Sequence, residues 1–348
     1  MRRRKRSLLP VPVRKRKRIL LPVILIVIIP VMGVATWFFR DAVMSALLRD
    51  KSNHVTVTVA WNPLSTADDM IRALSGGMDV PVSLQNIPGA NGANGANHVW
   101  NAPHDGESLL STGLSAFVTS EAMGFAESSF RDWAVWLCAF SPAVVVVAAD
   151  SPYHTMDDLV TALQQNTEKL RCANPGLGTV GFAAAEILRT RMQLPFEHIN
   201  NAGNNPALSA LLEDEADFAV LLTIEATEKI NAGEIRALGA FGETTLAPSV
   251  AGISSNLDAV LPFGDYYGLF TPSDVPGRRL NGLTDLIESA AASDEFVAFL
   301  SEKKLTPVVP DRKQSSKIAE HIASLFCWSL YDAGYLPINP YTIGVDRR

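Results

Sequence analysis

Cysteine is scarce. The chain of 348 residues holds three, Cys138, Cys172 and Cys327. An odd number at such wide spacing is not a disulfide framework, and no CxxC pair is present to bind a metal or run a redox cycle. The role left to them is that of small buried apolar residues, with one oxidised pair as the other possibility outside the cell. Histidine is thinly spread too: His54, His98, His104, His154, His198 and His321 form no pair at metal-ligand spacing. The chain also lacks GxSxG, HExxH and GxxxxGK[ST], which removes the nucleophile-elbow, zinc-protease and phosphate-loop enzymes. The carboxylate pairs Asp68/Asp69 and Asp157/Asp158 stand at predicted helix starts, where the helix dipole alone explains them. The expectation is a protein without catalytic residues, metal or cofactor.

Acidic residues are missing from the first 40 positions, while residues 2–18 hold ten of the 30 Lys and Arg. The remaining 20 bases face 36 acids, so the rest of the chain carries −16. A nucleic-acid binder needs its bases on the folded domain, and here that domain is acidic. Residues 19–39 read ILLPVILIVIIPVMGVATWFF, 21 positions without a charge. At ~1.5 Å per residue they span a bilayer core. Bases before an apolar span mark the cytoplasmic side, and Trp37, Phe38 and Phe39 fit an interfacial belt. Pro22 and Pro30 are tolerated in membrane helices. A cleavable signal peptide is the competing reading, but its apolar core is ~7–15 residues ending in a small-x-small site. Met32-Gly33-Val34-Ala35 matches that poorly. We therefore expect a basic cytoplasmic segment at 1–18, a transmembrane anchor at 19–39 and a linker at 40–53. The protein would be a single-pass protein of the cell membrane, its binding domain extracytoplasmic.

From His54 the pattern changes. His54–Ala60 alternates and is β-branched, as a strand does. Ser65 or Thr66 caps a helix from about Ala67. Val80–Gln85 and Ser108–Thr112 are further strands, with a glycine-rich loop, Pro88–Asn97, between them. Strand, helix, strand, loop, strand predicts a parallel α/β sheet. Ala143–Ala149 reads as a strand buried on both faces. A second block follows: helix Met156–Gln165, loop Cys172–Thr179, helix Phe182–Met192, polar loop Asn200–Pro206, helix Ala207–Leu212, and strands Asp217–Leu222 and Ile235–Phe241. Tyr267–Phe270 is read as a strand returning to the first block, followed by helices Leu280–Ala292, Asp294–Lys303 and Lys317–Asp332. The fold class predicted is α/β in two similar lobes. Lobe 1 is 54–144 plus 263–348 and lobe 2 is 145–262, with Val144–Ala149 and Tyr266–Phe270 as crossing strands.

Two glycine loops carry the chemistry. Gly89, Ala90, Asn91, Gly92 and Asn94 belong to the run GANGANGAN. Glycine lets backbone approach a ligand closely, and a helix starting there would offer free N–H groups to an anion. A tight strand-to-helix turn is the alternative. Gly176, Gly178 and Thr179 offer the same geometry from the second block. Ligands of open α/β sheets lie beyond the carboxyl ends of strands, where such loops sit. Asn62, Leu64, Ser65, Thr66 and Asp68 follow the first strand, and there hydroxyls serve a ligand or only cap a helix. Thr112, at the end of the third strand, and Asn201 and Gly203, in the polar loop, complete the candidate ligand-binding set.

These motifs resemble the substrate-binding proteins of tripartite tricarboxylate transporters, the Bug-type family. The family pattern PGGxxDxxAR is met by Pro63-Leu64-Ser65-Thr66-Ala67-Asp68-Asp69-Met70-Ile71-Arg72. NxPGAxGxxGA is met by Asn86-Ile87-Pro88-Gly89-Ala90-Asn91-Gly92-Ala93-Asn94-Gly95-Ala96. PDGYTLL is echoed by Pro103–Leu110, SxGxGT by Asn174–Thr179, AGKLRAL by Ala232–Leu238, and WxGLxxPxxxP by Tyr267–Pro276. The matches run in order from about 55 to 310. The resemblance implies a two-lobe periplasmic-binding-protein-like (Venus flytrap) fold and capture of a small carboxylate, largely through backbone N–H groups and waters. It also implies delivery to membrane permease subunits of a tripartite tricarboxylate transporter. Two departures bear on the ligand. Leu64 and Ser65 replace two glycines of the first loop, and Asn200-Asn201-Ala202-Gly203 stands where the family has PYKG. A tethered sensor or adaptor signalling to a membrane partner, or a degenerate non-binding scaffold, would show the same outline.

Overall fold

The computed structural model describes residues 54–165, 169–258 and 260–347. The expected basic segment, anchor and linker lie outside them. Among the described residues no helix is long and apolar enough to cross a membrane.

The strands are β1 (Val55–Val59), β2 (Val82–Asn86), β3 (Ser108–Gly113), β4 (Trp133–Ala148), β5 (Leu170–Asn174), β6 (Phe196–Asn200), β7 (Phe218–Leu222), β8 (Ile235–Ala240), β9 (Gly264–Pro272) and β10 (Thr306–Pro307). The helices are α1 (Thr66–Gly76), α2 (Ala93–Trp100), α3 (Leu114–Ala122), α4 (Met156–Gln165), α5 (Val180–Arg191), α6 (Asn204–Leu212), α7 (Thr223–Asn231), α8 (Ser255–Asp258), α9 (Gly277–Ala291), α10 (Asp294–Glu302) and α11 (Arg312–Asp332).

The strand order is β2-β1-β3-β9-β4-β7-β5-β6, with β8 and β10 also paired to β4. β1, β2 and β3 are parallel, as the strand–helix–strand pattern predicts, and Val57 faces Leu84 and Leu109. β9 runs antiparallel to β3 and to β4. In the second block β5 is parallel to β6 and β7, while β7 and β8 are antiparallel to β4.

β4 is the spine. Its first part, to Pro142, pairs with β9, and its second part, from Ala143, pairs with β7 and β8. The sequence reading, a strand at Ala143–Ala149, covers only the second part. In the fold Pro142 sits where the strand changes partners, and a residue without an N–H costs least there. The valine run Val144–Val147 is fully buried, as expected for a strand covered on both faces. The result is a mixed α/β protein of two lobes that share β4, while β9, among the described residues, pairs only with β3 and the first part of β4.

Four further elements differ from expectation. α3, sequence LSAFVTSEA, is almost wholly buried, and such a run has no polar stripe to betray a helix. β6 and α7 also emerge from stretches without a clear period. α6 starts at Asn204, so half of the expected polar loop is helix, with Pro206 in the first turn where its missing N–H does no harm.

The long α11 closes the core. Phe326 is fully buried and stacks on Phe263 at 5.5 Å between ring centroids. Nearby, Trp136 on β4 donates its indole N–H to Thr284 on α9 at 3.0 Å. That bond satisfies the one polar atom of a large buried ring.

Candidate functional site

The strand ends of β1, β2 and β3 carry the first wall. Leu64 has a left-handed backbone (φ 66°) and a side chain 84% exposed. Ser65 caps α1, its hydroxyl accepting the Asp68 N–H. Asp68 is fully buried. Its carboxylate accepts the Leu64 N–H at 3.0 Å, two N–H groups of Arg72 at 2.8 and 3.1 Å, and the Asn86 amide at 3.0 Å. Burial pushes this carboxyl up, but those bonds outweigh it and hold it below the usual range. Asn86 also donates to the Trp61 carbonyl, tying the ends of β1 and β2 together. Asp68 therefore braces the loop that holds Asn62, Leu64 and Ser65, and its four donors all come from the protein.

The glycine-rich loop is strongly bent. Gly89, Ala90, Asn91 and Gly92 all have positive φ, at 115°, 49°, 52° and 87°. Ala90 in that region costs ~1–2 kcal/mol, and such strain gathers at ligand sites. α2 begins at Ala93 with no side-chain cap, so its N-terminus faces the loop with the positive end of its dipole. Gly95 is required by contact: a Cβ there would lie 2.8 Å from the Ala60 Cα. Gly92 packs beside Trp61 and Thr112, which are joined by an indole-to-hydroxyl bond of 3.0 Å. Asn94 turns its amide to the Pro88 carbonyl.

The second wall rises from β5. Asn174 accepts the Gly176 N–H, and Thr179 caps α5 while donating to the Gly176 carbonyl at 2.7 Å. Gly176 (φ 109°) leaves no room for a Cβ, which would meet the Asn201 carbonyl at 2.5 Å. Asn201 bonds back to the Asn174 and Ile199 carbonyls, and the Gly203 N–H to the Pro175 carbonyl. Asn201 and Gly203 thus brace this loop.

The two walls meet. A Cβ on Gly178 would come within 2.5 Å of the Met123 Cε and 3.8 Å of the Asn91 amide nitrogen. Asn91 in turn points its amide at the Met123 sulfur, 3.7 Å away. The two glycine loops singled out in the sequence are therefore neighbours in space.

Below them lies a floor that the sequence did not announce. Asp265 on β9 is buried and accepts the Ser115 N–H at the start of α3. Burial pushes its carboxyl up to about 6. Glu225 on α7 keeps some solvent access and accepts the Leu222 N–H at 2.8 Å and the Asn204 amide at 2.5 Å. Burial, with Asp265's charge adding to it, pushes Glu225 up to about 7. Tyr267 has its hydroxyl raised well above normal by burial and then by these two acids, and Thr66 hydrogen-bonds it. Ser141 joins β4 to α7 through the Thr223 hydroxyl at 3.0 Å and the Ile224 N–H. The signal for this floor was Asp265 itself, a charge inside the apolar strand GDYYGLFTP. Tyr267, two residues on, shares its face.

Lys and Arg are absent from both glycine loops, and Arg72 is committed to Asp68. A negative ligand here would be met by N–H groups, hydroxyls and helix starts. Among the described residues no group of three metal-ligating side chains occurs. A groove of about 410 Å³ lined by residues such as Glu243, Leu300, Lys304 and Pro307 includes none of the loop residues.

Comparison with known proteins gives the same picture. A sequence profile described as Tripartite tricarboxylate transporter family receptor matches residues 66–324. A UPF0065 protein from the tcbD-tcbE intergenic region of Pseudomonas sp. strain P51 is 30% identical over 264 residues, covering 72% of this chain and 77% of that protein. The crystal structure of a TctC solute binding protein from Polaromonas superposes with a TM-score of 0.69 at 19% identity, covering 80% of this chain and 98% of that one. The R. palustris protein Rpa4515, solved with adipate, gives 0.69 at 19% identity, covering 83% and 100%. At those identities the structures speak for the fold, and the profile and the relative for the family. The chain belongs to the tripartite tricarboxylate transporter receptor family, whose members are substrate-binding receptors with the two-lobe periplasmic-binding-protein-like fold.

Proposed function

We propose that this receptor captures a small di- or tricarboxylate between its two glycine loops by hinge closure, and delivers it to the permease subunits of a tripartite tricarboxylate transporter. The observation that carries the reading is the seating of Gly178 against Asn91 and Met123, which brings the second-lobe loop onto the first. The ligand would be held by Asn62, Ser65, Thr66, Gly89–Gly92, Asn94 and Thr112 from lobe 1, and by Gly176, Gly178 and Thr179 from lobe 2. Asp68, Asn201 and Gly203 hold these loops in place, and Leu64 rims the opening. The lobes divide near residues 144 and 263.

Charge-assisted hydrogen bonds contribute ~1.5–3 kcal/mol each. Four to six give roughly 6–18 kcal/mol, a range that takes in the ~8 kcal/mol of micromolar binding before ordering costs are taken off. No arginine clamp is needed. The adipate held by Rpa4515 supports a dicarboxylate as the ligand class. The uncharged run 19–39 behind ten bases supports a membrane tether with the binding domain outside. Such a tether suits a cell without a confined periplasm, where a free binder would be lost; recovery of the protein from the medium rather than the membrane fraction would overturn it.

The test of the ligand is calorimetric titration of the full-length protein with citrate, C4–C6 dicarboxylates, aromatic acids and acidic amino acids. Micromolar binding of one carboxylate class, weakened at least tenfold by Gly92→Val, is expected. Heat-silent titrations with every acid would overturn the reading.

A further inference from the structure

Behind the second-lobe loop runs a chain of hydrogen bonds whose direction can be read from one end to the other. A backbone N–H is a donor at any pH, and that of Gly176 meets the Asn174 Oδ1 at 3.0 Å. An amide that turns its oxygen to Gly176 turns its NH₂ the other way. There it meets His198 Nδ1 at 3.2 Å. An NH₂ group only donates, so Nδ1 must hold a lone pair. The ring proton is then on Nε2, 2.5 Å from Glu186 Oε1. Glu186 is buried and also takes both Nε and Nη2 of Arg189, at 2.9 and 2.7 Å. Burial alone would raise the Glu186 carboxyl, but His198 and Arg189 hold it down to about 2. It stays an acceptor. One neutral tautomer of His198 satisfies both neighbours, and the other would set donor against donor at Asn174.

We propose that His198 is a positioning residue for the ligand loop Asn174–Thr179, and that taking up a proton at Nδ1 releases the Gly176 N–H from Asn174. The proton comes from bulk water, and no other covalent bond forms or breaks. Once Nδ1–H faces the Asn174 NH₂, two donors oppose each other. Asn174 escapes by rotating its amide half a turn, which gives Oδ1 to His198 and leaves NH₂ facing the Gly176 N–H. Gly176, crowded on its other side by the Asn201 carbonyl, then loses the acceptor it has in Asn174.

The surroundings leave His198 as the group that changes. Glu186 and Arg189 face it from α5 and are paired with each other. Cys172, its register partner on β5, has its thiol pushed well above normal by burial and then by Glu186. The rings of Phe182 and Phe196 flank it at 4.9 and 5.3 Å, and Tyr335 reaches the far side of Phe182. Its neighbour Glu197 pairs with Lys169. That the loop then changes its hold on a carboxylate rests on the function proposed above; the switch of hydrogen bonds itself does not.

The test needs no ligand, so its outcome stays readable if carboxylate binding fails. Full-length protein in detergent micelles carries ¹⁵N-histidine, or ¹³C-proline with ¹⁵N-glycine. Pro-Gly pairs occur only at 88–89, 175–176 and 276–277, so Gly176 gives one of three filtered signals. The pH is taken from ~8 to ~5, where imidazoles protonate. The expected result is an Nε2–H tautomer at the alkaline end, and a Gly176 amide shift that moves with the same midpoint as the His198 ring. In His198→Gln that shift should flatten. An Nδ1–H tautomer at pH 8, a ring that stays neutral to pH 5, or a Gly176 amide that stays still while His198 titrates would overturn the proposal.

Discussion

Leu64 takes at a single position a backbone conformation that glycine adopts more cheaply. Its position follows the first strand where the family has glycine, and the structure places it at φ 66° with its side chain in solvent. A left-handed leucine costs ~1–2 kcal/mol, of which part returns as reduced freedom of the unfolded chain. Leu64→Gly should therefore raise stability by up to ~1 kcal/mol in urea unfolding; a loss would mean that the leucine packs on something. Asp68 is the opposite case. An acid at the third position of a helix looks the same in sequence whether it faces a ligand or closes a cap. Only the fold brings Asn86, 18 residues away, and Arg72 to the same carboxylate. Asp68→Ala leaves those donors unpaired, and a cost of ~3 kcal/mol is expected, together with proteolysis within 61–66.

At the scale of elements, the glycine loop was legible because glycine is demanded by backbone contact. Gly95→Ala would press a methyl to 2.8 Å of the Ala60 Cα, so α2 must lift from β1. A loss of ~1–3 kcal/mol, with carboxylate affinity falling alongside, is the expected outcome of paired melting and titration. The floor was not legible, because Asp265 and Glu225 lie 40 residues apart in chain order and meet only where β9 passes α7. Both carboxyls are raised in the fold, so the native state binds more protons than the unfolded chain between the ordinary carboxylate range and about 6 to 7. Their contribution is fully present below that ordinary range and is lost as pH rises through about 6 and 7. Denaturant midpoints should fall by the equivalent of ~2 kcal/mol from pH 5 to 8, and in Glu225→Gln the fall should shrink. Glu186 has the reverse sign: its contribution holds above the ordinary carboxylate range and is lost as pH drops toward about 2.

For the whole molecule, the sequence outlined two α/β blocks and their order, since alternating strands and helices allow few other arrangements. It did not reveal that one 16-residue strand, β4, belongs to both. The join falls at Pro142, where pairing passes from β9 to β7 and β8, a change of partners that only the fold brings together. α11 secures this join from one side through Phe326. Phe326→Ala should cost ~3–5 kcal/mol and should lower the melting of both blocks together, as read by exchange in β1 and β5; separate melting would mean that the lobes are independent. Carboxylate capture requires the ligand to lie between the two glycine loops. The measurement that tests this most directly is peptide-resolved hydrogen exchange of the full-length protein, with and without the tightest-binding acid of the titration panel. Slowed exchange confined to 62–66, 89–96, 112–115, 174–179 and the floor around 265–267 is predicted. Protection that falls instead on the groove near Glu243 and Lys304, or no protection with any carboxylate, would contradict it.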